Sequence, residues 1–260
     1  MSDKARERIA RKERFVEKRD KMLINNFTAD RATIEEVFDQ ATRIVLFNFM
    51  KDGKLDELHG VVSAGKEARV YWGKNKAGKE IAVKIYLTSS AEFLKGMRKY
   101  IEGDRRFKNV RHNTRSIIFT WAQKEFRNLE QASTAKVRVP KPIAVKNNVV
   151  LMEFIGENGV SAPSMKEQPP SDPEKAYSVL LTYIERLYRK AEIVHGDLSE
   201  YNMMMWKGHV VVFDMSQSVP TSHPLAEFLL RRDLTNVNRF FSRLGVKVKP
   251  IEEIYKQVVS

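Results

Sequence analysis

One stretch near residue 200 constrains the fold most, because it places three polar side chains around a short β-hairpin pattern. Residues 194–202 read V-H-G-D-L-S-E-Y-N, and an apolar run further on ends in a second carboxylate at Asp214. Between Asn202 and Asp214, two β-rich runs flank Lys207-Gly208, a turn signal typical of hairpins. Since a hairpin folds its two ends together, we expect Asn202 and Asp214 to lie side by side, with Asp197 in the loop just before.

These three side chains supply oxygen ligands and a candidate base. Hard cations such as Mg²⁺ are commonly held by one or two carboxylates together with substrate phosphates. In phosphoryl transfer of the kinase type, an Asp accepts the hydroxyl proton, while an Asn and a later Asp hold the metal. We therefore interpret Asp197 as the base and Asn202 and Asp214 as metal ligands. The alternative is a polar loop in which Asp197 only stops a helix or shapes a turn.

A glycine-containing turn lies far upstream, at residues 63–66 (S-A-G-K), between β-rich runs at 61–62 and 68–72. Glycine lacks the Cβ that would keep backbone N–H groups away from phosphate, so such a turn can bind phosphate. It is not a Walker loop, because Glu67 stands where that motif requires Ser or Thr. Taken alone, the segment is as compatible with a plain turn.

The strand pattern of residues 80–86 (E-I-A-V-K-I-Y) places Lys84 among apolar residues. The A-V-K-I run is typical of the kinase strand whose Lys reaches the α- and β-phosphates of ATP. The alternative is an edge-strand lysine that extends to water. A helical segment at 121–129 offers Glu125 as the ion-pair partner of Lys84, although spacing alone does not exclude Glu130.

A composition shift after residue 155 marks the best domain boundary. A hairpin is expected over residues 143–154, and the next twenty residues contain four prolines. A strand that enters a hinge between lobes can offer the carbonyl of Glu153 and the amide of Ile155 to adenine. The alternative is simply a last strand and a linker.

Several helices are expected on either side of these motifs. One begins at Thr33, with Glu36 at capping-box spacing, and ends at Asp52-Gly53; it should pack on the next segment of the chain. Another begins at Asp172-Pro173, a favourable helix start. The chain after Asp214 predicts three amphipathic helices, over residues 225–232, 237–244 and 251–258.

The net charge of +13 and the pI of about 9.8 favour an anionic partner, such as nucleic acid, an acidic lipid surface or a phosphate-rich assembly. Residues 1–24 suggest a solvated basic helix or an RNA-binding arm, and residues 87–115 suggest a mobile lid, an RNA contact or a solvated insertion.

The absence of cysteine excludes disulfides and a Cys nucleophile and suits a reducing cytosol. We expect neither a secretory signal nor a membrane span.

Together these motifs closely resemble the RIO family of atypical serine/threonine protein kinases, in particular its type-one branch and an archaeal member of it. The resemblance implies an α+β, two-lobed kinase-like fold with a β-rich N-lobe and a reduced helical C-lobe that lacks a long activation loop. It divides the chain into a basic helical extension (1–58), an N-lobe (59–155, with the basic insertion 87–115) and the C-lobe (156–260). The stretches that carry it are S-A-G-K-E-A-R-V-Y (63–71), I-A-V-K-I-Y (81–86), W-A-Q-K-E-F-R-N-L (121–129), L-M-E-F-I-G (151–156), V-H-G-D-L-S-E-Y-N (194–202), F-D-M-S-Q-S-V (213–219) and residues 223–241.

The resemblance also implies residue roles. Lys84 would bind phosphates, Glu125 would hold Lys84, and Asp197 would be the base, with Asn202 and Asp214 on the metal. Asp-Met-Ser in place of Asp-Phe-Gly is expected of the family, whereas Ala64 stands where the family usually has Thr. The full set of implied ATP-binding residues is Ser63, Lys66, Glu67, Val70, Lys84, Glu125, Met152, Glu153 and Ile155, and the implied catalytic residues are Asp197, Lys84 and Asp214.

The implied activity is transfer of the ATP γ-phosphate to serine, including the protein's own, with Mg²⁺ or Mn²⁺. The implied setting is cytoplasmic maturation of the small ribosomal subunit, with ribosomal RNA and proteins as partners and no membrane. The resemblance implies a second mode of action there, mainly as an ATPase, with the metal-binding Asp as a transient phosphate acceptor. The rival hypotheses are a non-catalytic ATP-binding assembly scaffold and a small-molecule phosphotransferase, which would need a larger helical C-lobe.

Overall fold

The computed structural model describes residues 38–87, 91–107 and 113–260. The predicted basic helix of residues 1–24 and the predicted capping box at Thr33 and Glu36 lie outside the described residues. Residues 88–90 and 108–112 of the basic insertion lie outside them as well.

The N-lobe is built on a five-stranded antiparallel sheet in the order β1-β2-β3-β5-β4. Strand β3 occupies the centre, and its residues 81–86 are all buried. Lys84 therefore lies on a central strand, so the edge-strand alternative is wrong. The strands are β1 (Glu57–Ala64), β2 (Ala68–Lys74), β3 (Glu80–Tyr86), β4 (Pro142–Lys146) and β5 (Val149–Glu153).

The two faces of the sheet carry different helices because side chains alternate along a strand. Ile81 and Val83 face α1 (Gln40–Lys51), whose buried residues join the same apolar cluster. Asp39 caps this helix by accepting from the Thr42 N–H at 2.7 Å, and the helix ends at Asp52. The predicted continuous helix from Thr33 is wrong, because residues 38 and 39 are not helical and the N-cap Asp39 starts the helix at Gln40. The predicted packing of this helix on the following chain is confirmed, while the domain boundary at residue 58 stays a prediction.

The opposite face of β3 points towards α3 (Thr114–Thr134) and shares its cluster of buried side chains. Ala82 and Tyr86 pack there with Ile118 and Trp121. Within the basic insertion, the chain forms α2 (Ala91–Ile101), and a 3₁₀ turn follows at Arg105–Phe107. The suggested roles of the insertion as a lid, an RNA contact or a solvated segment stay predictions.

The C-lobe follows β5 and consists of short β-ribbons and three helices. Helix α4 begins as predicted, because Asp172 accepts from the Lys175 N–H at 3.0 Å and Pro173 occupies the first turn. Among the described helices, none combines the length and apolar character that crossing a bilayer demands. The elements are β6 (Gly156–Glu157), β7 (Val160–Ser161), α4 (Pro173–Arg189), β8 (Ile193–Val194), β9 (Met203–Trp206), β10 (His209–Val212), β11 (Val219–Pro220), α5 (Ala226–Arg243) and α6 (Ile251–Val259).

The prediction of separate helices over 225–232 and 237–244 is wrong. A single helix, α5, runs from Ala226 to Arg243. The intervening residues contain neither Gly nor Pro, and the side chains of Asp233, Leu234 and Val237 are buried. Burial of one continuous face therefore carries the helix through the polar stretch. The third predicted helix is confirmed as α6.

The packing of α1 on the sheet predicts a clear stability contribution. Leu46 is fully buried, so Leu46→Ala should lower the free energy of unfolding by roughly 2–5 kcal/mol through lost transfer energy and a residual cavity. Urea denaturation followed by far-UV circular dichroism measures this loss. The control is Val160→Ala, at a side chain that is 72% exposed, which should cost less than about 0.5 kcal/mol. Equal, small effects would show that α1 does not form part of the folded core.

Candidate active site

A cavity of about 540 Å³ lies between the sheet and the β9–β10 hairpin. All nine residues that the sequence implied for ATP binding line it, together with Asp214. Asp197 and Asn202 do not line the cavity. Tyr201, the residue before Asn202, does line it. The sequence-predicted positions therefore converge on one place, while their roles stay predictions.

Lys84 is the electrostatic centre of this cavity. Its Nζ donates to Glu125 Oε1 at 2.6 Å and to Asp214 Oδ1 at 3.0 Å. Burial acts to lower the pKa of Lys84, but the charges of Asp214 and Glu125 outweigh it and raise that pKa well above its usual value. Lys84 is therefore a fixed cation. Glu130 is exposed, so the structure selects Glu125 as its partner.

Tyr86 is a neighbour of this ion pair that sequence reasoning missed. It lies two residues after Lys84 on the same face of β3, and its hydroxyl donates to Glu125 Oε2. The two carboxylate oxygens of Glu125 thus have one donor each. Burial raises the pKa of Glu125 even though Lys84 acts to lower it. A buried carboxylate in this position needs both donors, and the period of two along β3 was the signal that could have identified Tyr86.

The hairpin brings Asn202 and Asp214 together as predicted. Val212 pairs with Met203 at its open end, and the Phe213 N–H donates to the Asn202 carbonyl at 3.0 Å. Asp214 follows in a left-handed conformation, with φ of 58°, and its Oδ1 accepts from the Ser216 hydroxyl at 2.8 Å. Its side chain keeps 41% of its surface exposed.

Among the described residues, the side-chain hydrogen bonds to the Asp197 carboxylate reach only one of its oxygens. Asn202 Nδ2 and Gln217 Nε2 each donate to Asp197 Oδ2 at 3.2 Å. Burial and the nearby charge of Asp214 raise the pKa of Asp197, while Arg232 acts in the opposite direction. A carboxylate with a raised pKa and a free oxygen has the properties of a general base.

The loop that carries Asp197 is held rigidly by side chains. Residues 196–198 have six backbone N–H and C=O groups, and each of them is hydrogen bonded to a side chain. Asp233 in α5 accepts from the N–H groups of Gly196 at 2.7 Å and of Leu198 at 2.9 Å. The other four bonds link the Gly196 carbonyl to Arg232, the Asp197 N–H to His195, the Asp197 carbonyl to Asn202 and the Leu198 carbonyl to Asn236.

His195 joins this loop to the strand before Asp214. The Asp197 N–H donates to His195 Nδ1 at 3.2 Å, so the ring proton must lie on Nε2, which donates to the Phe213 carbonyl at 3.1 Å. Burial lowers the pKa of His195 to about 4. The ring is therefore neutral at physiological pH and serves as a fixed link between two backbone segments.

The turn after Asp214 is bound from behind by α3. Lys124 Nζ donates to the Ser216 carbonyl at 3.0 Å and also to the Ser218 carbonyl. Asn128 Nδ2 donates to the Met215 carbonyl at 2.8 Å. Burial lowers the pKa of Lys124 to about 7. The helix that supplies Glu125 to Lys84 therefore also fixes the turn that supplies Asp214.

The donor set fits a hard divalent cation. Asp214 offers carboxylate oxygens, and Asn202 Oδ1 has no donor among the described residues, while its Nδ2 is used by Asp197. Burial above all, and then the charge of Asp214, raise the pKa of Glu67 to about 7. In the described part of the chain, no three His, Cys, Asp or Glu side chains form a metal-binding group. Sparse protein ligands are typical of Mg²⁺ held jointly with phosphates.

Part of the rim of the cavity is formed by the chain at the end of β5. Met152, Glu153 and Ile155 line the cavity there. The Glu153 side chain points to Arg138, which donates to both of its oxygens at 2.8 Å. Because the backbone of Arg138 also accepts from the Val212 N–H at 2.9 Å, this bidentate pair ties the predicted hinge to β10. Adenine contacts at Glu153 and Ile155 stay a prediction.

Comparison with known sequences identifies a RIO domain over residues 69–254. The chain is similar to RIO-type serine/threonine-protein kinase Rio1 of Haloferax volcanii, at 43% identity over 94% of this chain and 83% of that protein. It is also similar to human serine/threonine-protein kinase RIO1, at 41% identity over 88% of this chain and 41% of that protein. This chain thus spans less than half the length of the human relative.

Solved structures share the fold. The Rio2 kinase from Chaetomium thermophilum matches with a TM-score of 0.64 at 23% identity, covering 84% of this chain and 68% of that one. The complex of the same kinase described as ADP/Mg²⁺-phosphoaspartate matches with a TM-score of 0.63 at 21% identity, covering 83% and 65%. The two-lobed, kinase-like α+β fold is therefore confirmed.

The neutral, buried His195 predicts a specific pH dependence of stability. Its pKa lies below the ordinary value of 6.5, so the unfolded chain binds the proton first as the pH falls. Stability from this residue is complete above about pH 6.5 and is lost towards pH 4, by about 2.5 kcal/mol between pH 7.5 and 4.5. His195→Asn should therefore be less stable than wild type at about pH 7.5, with a difference that narrows on acidification. Chemical denaturation at several pH values in this range measures the difference in free energy of unfolding between the two proteins. A difference that does not change with pH would contradict the assignment of His195 as a buried neutral imidazole.

Proposed function

The chain belongs to the RIO family of serine/threonine protein kinases, and from this premise we propose that it transfers the γ-phosphate of ATP to a serine hydroxyl with Mg²⁺ or Mn²⁺. The observation that carries the proposal is the Lys84 cluster. One buried cation joins Glu125 of the N-lobe to Asp214 of the C-lobe beside a loop that holds a candidate base. This arrangement matches the parts that kinase phosphoryl transfer requires.

In this proposal each residue has a separate task. Lys84, kept protonated by its two carboxylates, contacts the phosphates of ATP, and the turn at residues 63–67 covers them. Asp197 accepts the proton of the serine hydroxyl as the hydroxyl oxygen attacks the γ-phosphorus and the bond to the β-phosphate oxygen breaks. Asn202 and Asp214 would hold the metal, which supplies charge neutralisation for the phosphates.

We extend the proposal to ATP hydrolysis, in which water replaces the serine hydroxyl. The support is that Asp214 keeps 41% of its side chain exposed, so solvent reaches the site. A chain that turns over ATP without a protein acceptor would act as a switch, and the family resemblance suggests the maturing small ribosomal subunit as its setting. An ATP-binding scaffold without turnover is the alternative, and a cytoplasmic location belongs to the same proposal.

The charge distribution supports an RNA partner for the first 155 residues. Of the 46 basic and 33 acidic residues in the chain, 13 of each lie in residues 156–260, so the whole net charge of +13 lies in residues 1–155. A basic surface of this kind favours contacts with a phosphate backbone. We propose that residues 1–155 face ribosomal RNA, while the neutral C-lobe presents Asp197 to the protein substrate.

Asp197→Ala should lower phosphate transfer to serine by at least about 100-fold, because general-base catalysis is lost. Glu125→Gln should lower it as well, since Lys84 loses a charged partner. The affinity for ATP should stay within about twofold in Asp197→Ala, which lies outside the cavity lining. Transfer of radiolabelled γ-phosphate from ATP, with and without purified small ribosomal subunits, measures these effects.

The matched control is Glu130→Gln, on the same helix at an exposed position, and it should behave like wild type. Phosphate release without labelled serine, stimulated by the subunits, would support the ATPase switch. Absence of any turnover in the wild type, with and without subunits, would eliminate the enzyme and leave the scaffold.

The RNA proposal predicts salt-dependent binding that depends on the N-lobe. The logarithm of the association constant for a ribosomal RNA fragment should fall linearly with the logarithm of salt concentration. Charge reversal of the exposed Lys76 and Lys79 should weaken binding by roughly tenfold, and the same change at Lys207 and Lys256 should have little effect. Fluorescence anisotropy measures both. Equal losses from the two pairs, or binding to anionic vesicles in place of RNA, would overturn the assignment.

A further inference from the structure

In the loop that carries Asp197, the backbone is fixed but the orientation of the Asp197 side chain must still be controlled. Since all six backbone polar groups of residues 196–198 are hydrogen bonded to side chains, the backbone of Asp197 is fixed. What remains is rotation of the Asp197 side chain, which decides where its free oxygen points. A base must present that oxygen within hydrogen-bond reach of the proton it accepts.

Two amide groups control this rotation. Asn202 Nδ2 and Gln217 Nε2 converge on Asp197 Oδ2, each at 3.2 Å. Asp197 Oδ1 has no donor among the described residues. We propose that Gln217 is a positioning residue for the proposed phosphoryl transfer: its amide holds Oδ2, so that Oδ1 is presented to the acceptor hydroxyl. The inference rests on the proposed function of Asp197 as the base.

Gln217 is itself held in place by the surrounding chain. The carbonyl groups of Met215, Ser216 and Ser218, on either side of it, accept hydrogen bonds from Lys124 and Asn128 of α3. Its own carbonyl lies over Gly196, where a Cβ would come within 3.0 Å of that oxygen. Gly196 has φ of 80°, so glycine is required there for both conformation and space.

Through these contacts Gln217 connects the loop that carries Asp197 to the turn after Asp214. It follows Asp214 by three residues and touches Asp197, so the turn that carries the proposed metal ligand also sets the orientation of the base. Asn202 serves Asp197 as well, but it is a proposed metal ligand, so its replacement would disturb both functions. Gln217 belongs neither to the proposed ligands nor to the lining of the cavity. Its replacement therefore isolates the positioning of the base.

The test uses Gln217→Met, which keeps the side-chain length without the amide, and Gln217→Glu, which keeps the shape but places a second carboxylate against Asp197. In the full chain, both should lower kcat for phosphate transfer on the order of 10–100-fold, the scale expected from a displaced catalytic group. The KM for ATP should stay within about twofold, because Gln217 does not line the cavity. Gln257→Met, at an exposed position on α6, is the matched control and should behave like wild type.

A double-mutant cycle separates positioning from a structural role. If Gln217 acts through Asp197, then Gln217→Met should cause less than about a twofold further loss in the Asp197→Ala background, because coupled residues are not additive. A full 10–100-fold loss in that background, a raised KM for ATP, or wild-type kcat in both Gln217 variants would overturn the inference. A wild type without turnover would instead refute the proposed function.

Discussion

The structure depends on one buried positive charge. Lys84 lies in the central strand of the sheet, where an isolated cation would be strongly unfavourable, and two carboxylates from different lobes compensate it. Removal of either partner would leave a buried charge short of compensation, a situation that is far more costly than loss of an exposed ion pair. The relative position of the lobes at the cavity is therefore tied to the electrostatics of a single ammonium group, and elements that carry Glu125 and Asp214 must stay within a few ångström of it.

Helix α3 meets this requirement from two sides. Glu125 reaches Lys84, while the preceding residue, Lys124, reaches the carbonyl groups behind Asp214. Lys124 has carbonyl groups as its hydrogen-bond acceptors, and its lowered pKa reflects that burial. A displacement of α3 away from the cavity would break the ion pair and these backbone contacts together. The site is consequently assembled by packing between α3 and the turn after Asp214, with no need for a long activation loop to hold the parts in place.

The sequence predicted the parts of the site that depend on local periodicity and missed those that depend on side chains reaching across the fold. The hairpin pattern was enough to place Asn202 beside Asp214, and the apolar strand pattern placed Lys84 among apolar residues, although it left an edge strand open. Spacing favoured Glu125 without excluding Glu130, and the structure distinguishes them because Glu125 is buried on α3 and Glu130 is exposed. Asp233 was not identified because its carboxylate serves a loop more than thirty residues earlier in the chain. Burial of this residue also helps to continue one helix through the polar stretch where two helices were predicted.

The carboxylates around the cavity lower the stability of the fold, because like charges lie close together there. Glu67, Asp197 and Asp214 raise the free energy of one another's ionised forms, and the pKa of Glu67 rises to about 7 through burial and the charge of Asp214. A chain selected for stability alone would not gather these groups around one lysine. Under the proposed function, a divalent cation would neutralise the cluster, and a ligand that binds only the folded state stabilises that state in proportion to the logarithm of its concentration. The proposed metal binding would therefore also stabilise the two-lobed arrangement, because Lys84 alone compensates only part of the negative charge of these carboxylates.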